Sequence, residues 1–218
     1  MSLTIDVGNR PGPGRDRGVT AAAAAIRRGE LVVLPTESVY GLAADPFSAK
    51  AMAALREAKG RGDDLPVGVL VGAVRTVDGL ASGITPDGRA LIEAFWPGPL
   101  TLVVREQPTL AWDNPGGHVS LRMPLHPVTL AVLAATGPLA VTSAQRAGSV
   151  PPRTCAEAED QMGDGIALYL DAGPTTEEVP SSIVDLTADP PVLLREGAYS
   201  LLTLRGICAD LVDSDQAV

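Results

Sequence analysis

The chain has 218 residues, 45% of them hydrophobic but only 3% aromatic, with 17 basic and 26 acidic side chains for a formal charge of −9. That length suits one domain around one sizeable core, and the charge opposes strong non-specific binding to a polyanion unless the cations gather on one face. No apolar run approaches the ~18 residues of a membrane span, the N-terminus lacks the apolar centre of a secretory signal, and Cys155 and Cys208 stand outside any CxxC, so a cytoplasmic protein with free thiols and no thiolate zinc site is expected.

In chain order, Gly and Pro make residues 1–18 a flexible N-terminal arm, after which VTAAAAAIRRGE reads as a helix closed by Gly29 and LVVLP as a strand. Ser48 is placed to cap a helix over AKAMAALREAK, which Gly60 ends. The strand PVGVLVG follows, then a helix, GRALIEAFW, stopped by WPGP, the strand LTLVV, a polar loop and the strand HVSLRMP. Pro127 opens a helix over PVTLAVLAAT, since proline at the first helical position gives up no needed hydrogen bond. PLAVTSA is a strand, TCAEAEDQM a helix, and IALYLD, SSIVDL and PVLLRE are three strands with no helix between them. The interleaving predicts a single-domain α/β fold over residues 19–208, a mixed parallel and antiparallel sheet with helices packed on it, and a tail at 209–218.

Four segments carry residues suited to chemistry. PTESVYGLAAD, from Pro35 to Asp45, brings Thr36, Glu37, Ser38 and Tyr40 directly after an apolar strand, either as a ligand-binding loop or as an irregular strand-to-helix turn. In EAKGRG, Lys59 lies in a helix's last turn and Arg61 just past its glycine. A helix cap accounts for both, and so does a phosphate site, where an ammonium and a forked guanidinium together neutralise a triphosphate. Arg122 stands in the strand SLRMP, where it either faces solvent on the alternating pattern or meets an anion such as a carboxylate, and Thr142 and Ser143 end the next strand at a rim. Ser181 and Ser182 precede a strand, and Arg195 ends another before Gly197. Several chemistries are absent: there is no GxxxxGK[ST], GxGxxG or GxSxG, and His118 and His126 have neither zinc-ligand spacing nor a nucleophile beside them.

Taken in order, these segments resemble the Sua5/YrdC family, the threonylcarbamoyl-AMP synthases that begin the making of threonylcarbamoyladenosine in tRNA. PTESVYGL is similar to the family's PT-[DE]-T-V-Y-G-[LI], KGR to its K-x-R, and SLRMPLHP to its strand with an arginine before His-Pro. VTSAQRAG corresponds to a [ST]-S-A-N-x-S-G segment, and PSSIVDLT with LLREGA to P-S-T-[IV]-V-D-L-T and [IL]-L-R-x-G-A. The likeness runs from about residue 19 to about residue 200 and is greatest to short bacterial members without the extra C-terminal domain. It departs at Gln145 and Ala147, where the family has asparagine and a small hydroxyl.

The resemblance implies a twisted sheet with a large open cavity on one side. It implies a reaction of L-threonine, bicarbonate and ATP with Mg2+, giving threonylcarbamoyl-AMP, pyrophosphate and water. Thr36, Arg122, Ser143 and Ser181 would then bind threonine, Arg122 through its carboxylate, while Lys59, Arg61, Gln145 and Arg195 would hold ATP, with Lys59 and Arg61 acting on the transferred phosphate. Hand-off to a tRNA threonylcarbamoyltransferase complex is implied, with weak or no direct tRNA binding. Two other readings compete: a divergent paralogue that adenylates or transfers another carbamate, and an RNA-binding module without catalysis.

Overall fold

The computed structural model describes residues 2–8, 10–60, 67–110, 116–176 and 179–216. Its elements run β1 (Leu3–Asp6), α1 (Pro13–Arg27), β2 (Val32–Pro35), β3 (Tyr40–Ala44), α2 (Ala49–Ala58), β4 (Gly68–Leu70), α3 (Val77–Leu80), α4 (Pro86–Phe95), β5 (Leu100–Arg105) and β6 (His118–Arg122). They continue with α5 (Pro127–Thr136), β7 (Leu139–Ser143), α6 (Cys155–Met162), β8 (Leu168–Asp171), β9 (Ser182–Asp185), β10 (Val192–Arg195), α7 (Leu201–Arg205) and β11 (Val212–Asp213). Among the described residues the strands form one sheet in the order β1-β8-β2-β3-β7-β4-β6-β5-β9-β10-β11, with parallel and antiparallel neighbours mixed. The expected α/β architecture is therefore present, and Ser48 caps α2 as read, its hydroxyl accepting from the Ala51 amide at 3.2 Å.

Three segments differ from the sequence reading. The described residues of the expected arm at 1–18 are not free: β1 pairs in parallel with β8, Val7 is buried, and α1 begins at Pro13. The glycines there serve close approach, because a Cβ on Gly14 would sit 2.7 Å from the Asp6 carbonyl oxygen and one on Gly18 2.4 Å from Val7 Cγ1. Tyr40–Ala44, read as part of a loop, is a strand paired antiparallel with both β2 and β7. All five of its residues are buried, so it lacks the polar alternation that marks a strand with one wet face. In the expected tail Leu211 is fully buried, and Val212 pairs with Val192 of β10.

Register assigns the faces, since residues directly opposite on neighbouring strands point the same way. On one face α2 and α6 cover Val33, Tyr40, Leu42 and Tyr169, while α3, α4 and α7 cover Leu100, Leu102, Leu121 and Val184. On the other face α1 and α5 cover Val32, Leu34, Ala43, Leu139 and Leu170. Those two helices stop at β4. Beyond it the same face carries Ser120 and Arg122 of β6, Thr101 and Val103 of β5 and Ile183 of β9, all partly exposed, while their alternate neighbours are buried. A sheet face half covered by helices leaves a concave floor, and the site lies on it.

The start of α5 borders that floor. His126 caps the helix, its Nδ1 accepting from the Val128 amide at 3.3 Å, and the Thr129 hydroxyl donates to the Pro35 carbonyl, tying the helix to the end of β2. Burial holds the His126 pKa below its ordinary 6.5, with Glu37 opposing and Arg15 reinforcing that shift. A folded-state pKa below the unfolded one means that the cap contributes fully above pH 6.5 and is lost as pH falls through the folded value. We predict that the urea midpoint falls more between pH 7.5 and pH 5 in the wild type than in His126→Asn, which keeps a cap acceptor without titrating. A cap of this kind is worth about 1 kcal/mol.

Candidate active site

A cavity of about 140 Å³ lies on the uncovered floor, lined by Thr36, Gly41, Thr101, Ser120, Arg122 and Ser143 together with apolar β4 and β7 residues. This is smaller than the ~300–1,000 Å³ pockets that enclose drug-sized ligands, so it suits a small metabolite rather than a whole nucleotide. A larger cleft of about 580 Å³ is lined by Ser82, Asp87, Arg105 and Asp189, and none of the residues singled out in the sequence borders it.

Arg122 meets an anion, and that anion is a protein carboxylate. Its Nη2 donates to Glu37 Oε1 and its Nε to the Gly98 carbonyl at 3.2 Å. The second Glu37 oxygen accepts from the Leu125 amide at 3.3 Å. The side chains are 12% and 5% exposed, so the guanidinium's burial is met by charge and hydrogen bonds together. Glu37 reaches Arg122 from the turn between β2 and β3, which Thr36 closes by donating its hydroxyl to Val39 O at 2.6 Å.

Two further cations flank the cavity. Lys59, 6% exposed at the end of α2, donates from Nζ to the carbonyls of Ser143 at 2.6 Å and Gln145 at 2.5 Å. On the opposite flank Arg195 donates from Nε and Nη2 to Ser181 O at 2.9 and 2.8 Å, and from Nη2 to Ser181 Oγ at 3.1 Å. The same Ser181 hydroxyl lies 3.1 Å from Thr101 Oγ1 on the cavity wall. Burial lowers the Arg195 pKa, and the nearby positive charge of Arg122 lowers it further. Gly197 permits this packing: a Cβ there would sit 2.3 Å from the Pro180 carbonyl oxygen. The site concentrates positive charge on a chain of net −9.

The structure thus brings Thr36, Arg122 and Ser143 to one cavity, with Lys59, Ser181 and Arg195 against its walls. Arg61 lies outside the described residues. Gln145 does not line the cavity: its amide donates to Ser149 O at 2.6 Å, and its buried Oε1 has no partner among the described residues. Sequence reasoning passed over Thr101, whose only signal was its alternation in LTLVV, and Gly98, which had been read as a helix stop. It noted the charge of Glu37 but assigned it no partner. Both cysteines are free and buried, and burial pushes the Cys155 thiol up to about 12. No group of three His, Cys, Asp or Glu suited to a metal ion occurs among the described residues, and no described helix is long and apolar enough to cross a membrane.

Gly41 on the cavity wall has no room for a side chain, because a Cβ there would meet Val141 Cγ1 at 2.7 Å. Gly41→Ala is expected to cost about 1–3 kcal/mol by overpacking, read from urea unfolding, and Val141→Ala in the same chain to recover part of it.

Comparison with known proteins matches residues 24–197 to the Sua5/YciO/YrdC family, described as telomere recombination. A candidate threonylcarbamoyl-AMP synthase of Mycobacterium tuberculosis is 51% identical over 188 residues, which is 85% of this chain and 87% of that one. The threonylcarbamoyl-AMP synthase of Bacillus subtilis is 36% identical over 189 residues, 85% of this chain and 55% of that one. Among solved structures, P. abyssi Sua5 complexed with L-threonine superposes with a TM-score of 0.90 at 32% identity, covering 97% of this chain and 62% of that one. This chain therefore spans less than two thirds of the Pyrococcus protein. E. coli YciO, at 21% identity and a TM-score of 0.81, shares the fold. The matched segment takes in the cavity and both flanking cations, and the chain belongs to the Sua5/YciO/YrdC family.

Proposed function

We propose that the protein is a threonylcarbamoyl-AMP synthase, a nucleotidyltransferase that joins L-threonine, bicarbonate and the AMP portion of ATP for tRNA modification. The observation that carries this reading is the small cavity holding Arg122 among hydroxyl-bearing residues, with Lys59 and Arg195 on its flanks. Arg122 takes the threonine carboxylate, since a guanidinium offers paired donors to a planar anion. Thr36, Ser143 and Ser181 surround the polar groups of the amino acid. Nucleotide phosphates lie across the rim, held by Lys59, Arg61 and Arg195. The Gln145 backbone carbonyl accepts from Lys59 Nζ, which supports assigning this segment to the nucleotide side.

In the reaction the threonine amine captures CO2 derived from bicarbonate, forming a carbamate. A carbamate oxygen attacks the α-phosphorus, a new P–O bond forms, and the bond to pyrophosphate breaks. Negative charge builds on the leaving oxygens, which fixed cations stabilise without reorganising. Mg2+ would be held mainly by the ATP phosphates beside Lys59 and Arg195 and would supply charge neutralisation, a mode that asks few carboxylates of the protein. No side chain need act as nucleophile. Carbamates lose CO2 readily in water, so a small cavity that holds amine and CO2 together favours the step. The product is labile and passes to a transferase that acts on tRNA.

The full chain incubated with ATP, Mg2+, 13C-bicarbonate and threonine is expected to form a labelled carbamoyl-AMP adduct visible by mass spectrometry, and none without threonine. Lys59→Ala and Arg195→Ala should each slow pyrophosphate release by about 100-fold, the scale of removing one charge-stabilising donor. An adduct formed with another amine but not with threonine would favour the second reading, a synthase of a different carbamate.

A further inference from the structure

The geometry points to Glu37 as the positioning residue that presents Arg122 to the substrate carboxylate, an inference that rests on Arg122 being the carboxylate's partner. A guanidinium has two forks, a side fork of Nε and Nη2 and an end fork of Nη1 and Nη2. Gly98 O takes Nε, and Glu37 Oε1 takes Nη2, so the side fork is occupied from two separate segments. In the end fork Nη1 has no hydrogen-bond partner among the described residues and Nη2 keeps its second hydrogen uncommitted, and Arg122 lines the cavity. A planar group pinned along one edge cannot rotate, and its open edge is the one that binds a carboxylate in bidentate fashion.

Glu37 is itself fixed. Its second oxygen is held by the Leu125 amide, and its backbone belongs to the turn that Thr36 closes. The acid therefore couples the turn, which contributes Thr36 to the cavity, to the strand that contributes Arg122. A negative charge beside Arg122 also competes with a substrate carboxylate for the same cation, so charge and position predict opposite signs. If charge dominates, removing it tightens threonine binding. If position dominates, removing it weakens binding, because the freed guanidinium explores orientations in which the end fork misses the substrate. The doubly anchored geometry favours position.

The test is steady-state pyrophosphate release by the full chain with Mg-ATP and bicarbonate, titrating threonine and ATP separately for Glu37→Gln, Glu37→Ala, Glu37→Asp, Arg122→Ala and the double variant Glu37→Gln/Arg122→Ala. The expected result is a threonine KM raised roughly tenfold in Glu37→Gln and more in Glu37→Ala, with the ATP KM unchanged. Glu37→Asp, which keeps the charge at shorter reach, should fall between Glu37→Gln and the wild type. The double variant should match Arg122→Ala alone, because a residue that acts through Arg122 has nothing left to act on. A threonine KM that falls or stays constant in Glu37→Gln overturns the inference, and so does an equal rise in both KM values or a double variant worse than Arg122→Ala. If Arg122→Ala itself leaves the threonine KM unchanged, the carboxylate assignment is wrong and the inference falls with it. If Arg122→Ala raises that KM while Glu37→Gln does not, the assignment stands and the inference alone fails.

Discussion

The structure depends on an imbalance of cover. Helices pack along most of one sheet face, but on the other α1 and α5 reach only as far as β4. Exposing the rest as a wholly apolar surface would be unfavourable, and the outward positions of β5 and β6, Val103 apart, carry polar side chains such as Thr101, Ser120 and Arg122 where their inward neighbours are Leu and Val. The same alternation that builds the core therefore places hydrogen-bonding groups on a concave floor. Fold and site follow from one pattern read on its two sides.

Electrostatics then divides that floor. Arg122 is met by a buried carboxylate, whereas Arg195 is held by the neutral oxygens of Ser181. The two guanidiniums thus differ in how much charge they can offer an incoming anion, even though their mutual proximity lowers the Arg195 pKa. Lys59 differs again, since two backbone carbonyls from the end of β7 receive its ammonium. A chain with a net charge of −9 can therefore gather positive charge locally while its net charge opposes polyanions at long range.

Much of this was legible in the residues, and what escaped did so for identifiable reasons. The alternation of HVSLR and the capping chemistry of Ser48 and Pro127 are local signals, and the structure repeats them. Tyr40–Ala44 was misread because a strand buried on both faces resembles any apolar run. Gly14 and Gly18 suggested flexibility, yet their missing side chains make room for Asp6 and Val7, contacts set by tertiary structure alone. For Arg122 the sequence left two alternatives, solvent or an anion, and could not name Glu37, because the pair joins residues 85 positions apart. Lys59 was ambiguous between helix cap and ligand group, and in the fold it ends α2 while its ammonium reaches the cavity wall.

The strand order carries a topological consequence. β1 and β11 occupy opposite edges of the sheet, so these two strands stand ten strand spacings apart. At ~4.8 Å per spacing that is about 48 Å before twist shortens the path. Many domains keep their termini close together and so accept circular permutation or head-to-tail closure with a short linker. Here a bridge of roughly 14 fully extended residues would be needed, crossing a face of the sheet on its way. A linker joining the two edges on the cavity side would therefore cross the cleft, and one on the other face would have to be longer still to pass over the helices packed there.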